Sequence, residues 1–193
     1  MKARYGHTNL IARDWRTLAR FYQEVFGCTP VPPERDYRGR DLDAGTALSG
    51  AHLTGAHLLL PGHGKDGPTL EIYHYDALES RPATAVNRPG FAHIAFGVDD
   101  VVAARAEVLA AGGRTVGEVV TLQVSTGTRV TWCYVTDPED NIVELQSWTE
   151  GRASRPDQAG KKPHRSPGVT PADCGRDADC ADQSSSLGAS IAR

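Results

Sequence analysis

Two hydrophobic rhythms alternate along the chain. From Phe91 to Val98, Ile94, Phe96 and Val98 share one parity and His93, Ala95 and Gly97 the other. That is the two-residue period of a strand with one buried face. Asp99-Asp100 then offers a helix N-cap, and VVAARAEVLAAGG follows as a helix closed by glycine. The same order occurs near the start: Tyr5-Gly6-His7, an apolar run to Ala12, Asp14, then WRTLARFYQEVFG. In that helix Trp15, Leu18, Ala19, Phe21, Tyr22, Val25 and Phe26 fall on one face, and Gly27 ends it. His7 and His93 are 86 residues apart, as are Asp14 and Asp100, so the chain reads as one unit written twice.

Each unit has a second half. GPTLEIYHY predicts a strand over Thr69–Tyr75 carrying Glu71, and DNIVELQSW predicts one over 142–148 carrying Glu144. Between them the first copy shows a short strand near Thr29–Pro32, a charged loop through residues 34–50, and a strand over Ala56–Leu60 stopped by Pro61-Gly62. The second copy runs strand 91–98, helix 100–111, strand 114–124, strand 128–136, the turn Asp137–Asn141, and the last strand. Both copies are roughly βαβββ, an α+β class. The domain spans 1–150, with modules at about 1–76 and 89–149 joined by a linker containing Pro82 and Pro89. From Gly151 onward there is no aromatic residue and only one each of Val, Leu and Ile. Such a segment buries too little apolar surface to offset its ordering entropy, so a disordered tail is expected over 151–193.

Charge removes several function classes. Residues 1–150 carry 19 acidic and 14 basic side chains, and the remainder 5 and 7. No basic face recommends nucleic acid, and no apolar run approaches a membrane span. Cys28 and Cys133 lie at no metal-like spacing, and two thiols in the tail, Cys174 and Cys180, do not complete a zinc site. The start, MKARYGHTNL, enters a strand without the apolar region of a secretion signal. A reduced, cytoplasmic setting is the expectation.

Strand parity assembles the candidate chemistry. Leu70 and Ile72 face one way, Glu71, Tyr73 and Tyr75 the other; Val143 and Leu145 oppose Glu144 and Gln146; His7 and Asn9 oppose Thr8 and Leu10. If the two copies meet about a pseudo-twofold axis, His7, Glu71, His93 and Glu144 converge on a mixed nitrogen and oxygen site for a divalent ion, with Ni, Zn, Co, Mn, Fe or Mg all compatible. Glu144 or Glu71, loosening from the metal, is the candidate proton shuttle. Asn9, Tyr73, Tyr75 and Trp132 are expected to line the substrate pocket, with Tyr134 as further wall. His74 has the opposite parity and should point to the helix layer. His52, His57 and His63 are expected at the surface, with His57 a possible pocket acid. Arg129 is weighed as an anion holder, though a solvated arginine fits it better.

GHTNLIARD followed by FYQEVFG, TLEIY, FAHIAFGVDD and DPEDNIVELQ make the chain resemble the vicinal oxygen chelate superfamily, which includes glyoxalase I, extradiol dioxygenases, and fosfomycin and bleomycin resistance proteins. The resemblance covers about residues 5–148. It implies a cupped, mixed eight-stranded sheet with helices on its outer face, and it assigns metal ligation to His7, Glu71, His93 and Glu144. Sites in the superfamily form within one chain or across a dimer; a homodimer is expected here. Glyoxalase I has arginine where this chain has Ile11 and asparagine where it has Tyr75. Both help hold glutathione, so a glutathione conjugate is disfavoured. The usual DP-x-G turn reads DPED, with Asp140 for glycine.

Four protein ligands suit a Lewis-acid metal with no redox change. The function expected is therefore a metal-dependent lyase or isomerase acting on a small hydroxy- or keto-carbonyl compound through an enediolate. The alternatives are a non-haem Fe(II) ring-cleaving dioxygenase with Glu71 off the metal, and a ligand-sequestering resistance protein of the bleomycin type. In each the partner is a small molecule.

Overall fold

The structure is a computed structural model and describes residues 1–125 and 127–150. They lie in one compact unit, Met1–Ala153. The tail expected to be disordered, with Cys174 and Cys180, falls outside the described residues.

The first module is β1 (His7–Ile11), α1 (Trp15–Phe26), β2 (Thr29–Arg38), α2 (Arg40–Thr46), β3 (His52–Leu59) and β4 (Thr69–Tyr75). Its sheet has the order β1-β4-β3-β2, with β1 and β4 parallel. The second module is β5 (Ile94–Gly97), α3 (Val101–Ala110), β6 (Arg114–Thr115), β7 (Val120–Ser125), β8 (Thr128–Thr136) and β9 (Ile142–Glu150). Its sheet runs β5-β9-β8-β6, with β7 also on β8 and with β5 and β9 parallel. The α+β class and the repeated βαβββ plan are therefore present. The strands form two sheets of four and five within the chain, where one sheet of eight was expected. No helix among the described residues is long and apolar enough to cross a membrane.

Local chemistry explains the elements. The Asp14 carboxylate caps α1, accepting from the Thr17 amide at 3.1 Å and the Thr17 hydroxyl at 2.7 Å, and those bonds pull its pKa below the ordinary value. Gly27 closes the helix at φ 68°. Asp100 caps α3 by accepting from the amides of Val102 and Ala103. Asp140 sits at φ 68°, so aspartate takes the left-handed position of the DPED turn.

Three sequence expectations change. Residues 34–50 are not a loop: β2 continues to Arg38 and α2 follows. Charge and glycine made that stretch read as a loop, but it continues the short strand expected near Thr29–Pro32. β2 is an edge strand, and its register shifts between Val31 and Arg35, where Pro32 and Pro33, which cannot donate to a ladder, lie. Asp43 then fixes the end of α2 to β3 through the amides of Gly50 and Ala51, at 2.9 and 2.8 Å. The predicted strand 114–124 is interrupted after Thr115, where the amides of Val116 and Gly117 both turn to the Tyr134 carbonyl. The strand predicted from Phe91 begins at Ile94, where pairing with Val143 starts.

Both sheets bury one face under a helix. Leu10, Leu58, Leu70 and Ile72 pack beneath Trp15, Leu18, Phe21 and Tyr22, and Phe96, Val135, Val143 and Leu145 lie with Val101 and Val108. Each fully buried leucine or isoleucine contributes about 1.5–3 kcal/mol by leaving water. The modules share this core: the Phe26 ring stacks on Phe96 with centroids 4.1 Å apart. Beneath them Asp137 is fully buried and accepts from the Tyr22 hydroxyl (2.9 Å), the Asn141 side-chain amide (2.7 Å), and the backbone amides of Glu139 and Asn141 (2.9 Å each). Burial raises the Asp137 pKa and these donors oppose the rise. Burial also pushes the Cys28 thiol to about 11, which makes it a packing residue and not a nucleophile. The linker is pinned as well: Arg81 donates to the Glu139 and Asp140 carbonyls and to the Asn141 side chain, and Thr84 donates to Asp140.

Candidate functional site

The face of each sheet turned away from the helices carries the predicted polar groups. In the first module His7 on β1 places Nδ1 3.4 Å from Glu71 Oε1 on β4. In the second, His93 at the entry to β5 places Nε2 3.1 Å from Glu144 Oε2 on β9. Both carboxylates are largely covered, at 14% and 17% side-chain exposure, while His7 and His93 remain more open at 52% and 31%. The alternation behind this is the one read from the sequence, with Leu70, Ile72, Val143 and Leu145 fully buried on the opposite face.

The two pairs do not meet within the chain. No His–carboxylate contact links one pair to the other, and no group of three or more His, Cys, Asp or Glu among the described residues is placed to hold a cation. The topology gives the reason. Among the described residues β1 pairs only with β4 and β5 only with β9, so the strand that bears His7 and the strand that His93 precedes are both sheet edges.

The surroundings of the pairs differ. Tyr134 lies opposite Glu144 in the β8–β9 ladder; its ring is 5.1 Å from His93 and 4.9 Å from Trp132. Trp132, predicted as pocket wall, thus joins an aromatic wall beside the second pair. Burial, then the neighbouring Glu144, raises the Tyr134 pKa.

The first pair is extended across its sheet by polar groups. His57 on β3 lies opposite Glu71, with Nε2 2.6 Å from the Tyr73 hydroxyl and 3.5 Å from Glu71 Oε1. Arg35 Nη2 on β2 is 3.3 Å from His57 Nδ1. An arginine only donates, so Nδ1 is the acceptor and the imidazole proton sits on Nε2, facing Tyr73 and Glu71. Burial lowers the His57 pKa, Glu71 opposes that, and Arg35 and His7 add to it; the neutral ring agrees with this tautomer. Burial and then Glu71 push the Tyr73 phenol to about 12, so it acts as a hydrogen-bonding group and not as a phenolate. Gly55 makes the packing possible: a Cβ there would lie 2.1 Å from the Ile72 carbonyl oxygen and 2.4 Å from the Tyr73 ring.

Other predicted residues fall as follows. Asn9 donates to the Glu71 carbonyl at 3.2 Å and lines a groove of about 860 Å³ that runs beside the outer edge of β1, with Ile11, Leu78 and Phe91 in its wall. Tyr75 is half-buried at the end of the Glu71 face, opposite Leu53. His74 turns to the helix side and contacts the Ala12 carbonyl at 3.0 Å. His52 sits between Asp76 and Asp36, at 2.9 and 3.0 Å. Arg129 is exposed and donates to Gln123. Arg35 was not singled out from the sequence because it lay in the stretch read as a loop. The link of His57 to Glu71 depends on cross-strand register, which parity along one strand does not supply.

The donor set suits a divalent ion, with one imidazole and one carboxylate per module on matched strands. Two donors per module are fewer than the four protein ligands expected from the sequence.

The sequence matches the profile of the Glyoxalase/Bleomycin resistance protein/Dioxygenase superfamily over residues 4–145. No curated protein matches the chain. Among solved structures, a glyoxalase family protein from Bacillus cereus is 18% identical, with a TM-score of 0.65 over 77% of this chain and 96% of that one. A glyoxalase/bleomycin resistance protein/dioxygenase domain from Frankia sp. EAN1pec is 19% identical, over 79% of this chain and all of that one, at a TM-score of 0.49. The fosfomycin resistance protein FosX of Listeria monocytogenes, solved with Mn(II) and sulfate, is 19% identical over 76% of this chain and 93% of that one, at a TM-score of 0.43. The repeated module, its helix-covered sheets and the profile match agree: the chain belongs to the Glyoxalase/Bleomycin resistance protein/Dioxygenase superfamily.

Proposed function

We propose that the protein is a metal-dependent lyase or isomerase acting on a small hydroxy- or keto-carbonyl compound, and that its metal is shared between two copies of the chain. His7 and Glu71 of one copy and His93 and Glu144 of the other supply the four donors. The observation that carries the reading is the pairing of one histidine with one carboxylate on the outward face of each module, each pair beside an unpaired sheet edge and neither in contact with the other. Joining β1 of one copy to β5 of the other would cover both edges and bring the pairs together.

A divalent ion held there would polarise a substrate carbonyl and acidify the adjacent C–H. The chain's residues do the rest. Glu144 or Glu71 takes the proton, being a largely covered carboxylate next to an imidazole. Trp132 and Tyr134 wall one side of the substrate, and Tyr73 and Tyr75 the other.

One observation favours a second reading. Glu71 also faces His57 at 3.5 Å, and a carboxylate retained there would leave the two-histidine, one-carboxylate set of a non-haem Fe(II) dioxygenase. Elemental analysis of protein purified without oxygen, wild type beside Glu71→Ala, separates the two. About one Ni, Co, Mn or Zn per chain, lost in the variant, supports the Lewis-acid enzyme. Iron retained in both makes Glu71 a bystander and favours the dioxygenase. No metal in either, after reloading, removes both readings and leaves a ligand-sequestering protein.

A further inference from the structure

Arg35 is the cation of the outward face in the first module, and no carboxylate pairs with it among the described residues. Four other arginines do have acidic partners: Arg13 with Glu139, Arg16 with Glu34, Arg38 with Asp36 and Arg114 with Asp140. Arg35 instead spends one guanidinium nitrogen on the neutral His57 ring, and its Nη1 is shielded from water with no hydrogen-bond partner. A shielded, unsatisfied guanidinium nitrogen is costly to hold, and an oxyanion reached by a turn of the side chain is a ligand that would satisfy it. The residue as a whole is only partly buried, which leaves a small ligand a way in.

Its position gives the charge a use. A row of side chains crosses the sheet from the β1 edge to the β2 edge: His7 contacts Glu71 (3.4 Å), Glu71 contacts His57 (3.5 Å), and His57 contacts both the Tyr73 hydroxyl (2.6 Å) and Arg35 (3.3 Å). The two ends therefore differ, one offering an imidazole–carboxylate pair and the other a cation. A molecule lying along the row meets the proton-accepting carboxylate and the guanidinium together. The second module has no counterpart: an aromatic wall of Trp132 and Tyr134 stands beside its pair.

We propose that Arg35 is a specificity-determining residue that binds the oxyanion of an acidic substrate, a carboxylate or a phosphonate, so that the compound turned over is a hydroxy or keto acid and not a neutral carbonyl. This rests on the proposed function for its metabolic meaning but not for its test. Full-chain protein, both as purified and after chelation of metals, is titrated with glycolate and with methylphosphonate by calorimetry. Wild type should bind at least one of them saturably in both samples, at about one site per chain, and whichever binds more tightly identifies the oxyanion. Arg35→Gln keeps a donor for His57 Nδ1 and removes the charge, so it should weaken binding about tenfold or more. Arg129→Gln, at an exposed arginine bonded to Gln123, should leave it unchanged. Equal affinity in wild type and Arg35→Gln, or no saturable binding of either anion, overturns the proposal. Because the chelated sample needs no metal, Arg35-dependent binding in a protein that takes up no metal would retain the subsite and discard the enzyme reading. Metal uptake without any effect of Arg35 would do the reverse.

Discussion

Mixing two inactive variants tests whether the site is shared. In a chain carrying His7→Ala the first pair loses its imidazole, and in one carrying His93→Ala the second pair does. Either homodimer then has two damaged sites. In the heterodimer one site collects both lesions. The other joins the intact His7–Glu71 pair of the His93→Ala chain to the intact His93–Glu144 pair of the His7→Ala chain. Random reassociation of equal amounts makes half the dimers mixed, so about one quarter of the wild-type number of intact sites should return. Loss of a direct ligand should weaken metal binding at least as much as loss of a supporting group does, about 100-fold. Separate variants should therefore be empty at a Co(II) concentration that fills the wild type. The visible absorption of bound Co(II) reads the recovery, and native mass spectrometry verifies that subunits have exchanged. Verified heterodimers with no gain in Co(II) absorption would refute the shared site, as would wild-type Co(II) binding in a protein that sediments as a monomer.

Three further outcomes follow from the packing. Tyr22→Phe removes one donor from buried Asp137 and should cost about 1–2 kcal/mol in urea unfolding, while Asp137→Ala, which orphans the remaining donors as well, should cost about 3 kcal/mol or more. Gly55→Ala forces a methyl group against the Ile72 carbonyl and the Tyr73 ring and should cost about 1–3 kcal/mol; a neutral result in thermal unfolding would mean that β3 and β4 are not this close. Donation by the His52 ring to the Asp76 and Asp36 carboxylates raises the His52 pKa above 6.5, so the stabilisation from its protonated form is fully present below the unfolded value and is lost as pH rises through the folded one. The difference in melting temperature between wild type and His52→Gln should therefore shrink as pH rises above about 6.5; a difference that grows with pH would reverse the assignment.

The repeat was legible because each strand that matters buries every second residue. Leu70 and Ile72 at zero exposure fix where Glu71 points, and Val143 and Leu145 do the same for Glu144. Both aspartate caps and the left-handed Asp140 were legible for the same reason, since their chemistry is local. What failed was non-local. The charged, glycine-containing stretch after Pro33 looks like a loop until its pairing with β3 is known. His57 looks like a surface residue until register sets it opposite Glu71. Parity shows that four candidate ligands face away from the helices, but it does not say whether two outward faces of one chain meet. That depends on how whole modules pack, and here they share one core, with Phe26 stacked on Phe96 and Tyr22 bonded to Asp137.

This packing links stability to the proposed function. Tyr22 on Asp137, with Arg81 and Thr84 on the Asp137–Asn141 turn, fastens the modules in a topology where β1 and β5 do not pair with each other. That topology leaves two open edges, each with half of a donor set. Both copies of the repeat carry one imidazole and one carboxylate. The neighbours have diverged, with Tyr73, His57 and Arg35 in the first and Trp132 and Tyr134 in the second. In the shared site proposed above, a substrate would lie between a polar, cation-ended row from one subunit and an aromatic wall from the other. The ligands repeat and so cannot distinguish one end of a substrate from the other. The walls can, and Arg35 is the only fixed charge among those diverged neighbours that would set its direction.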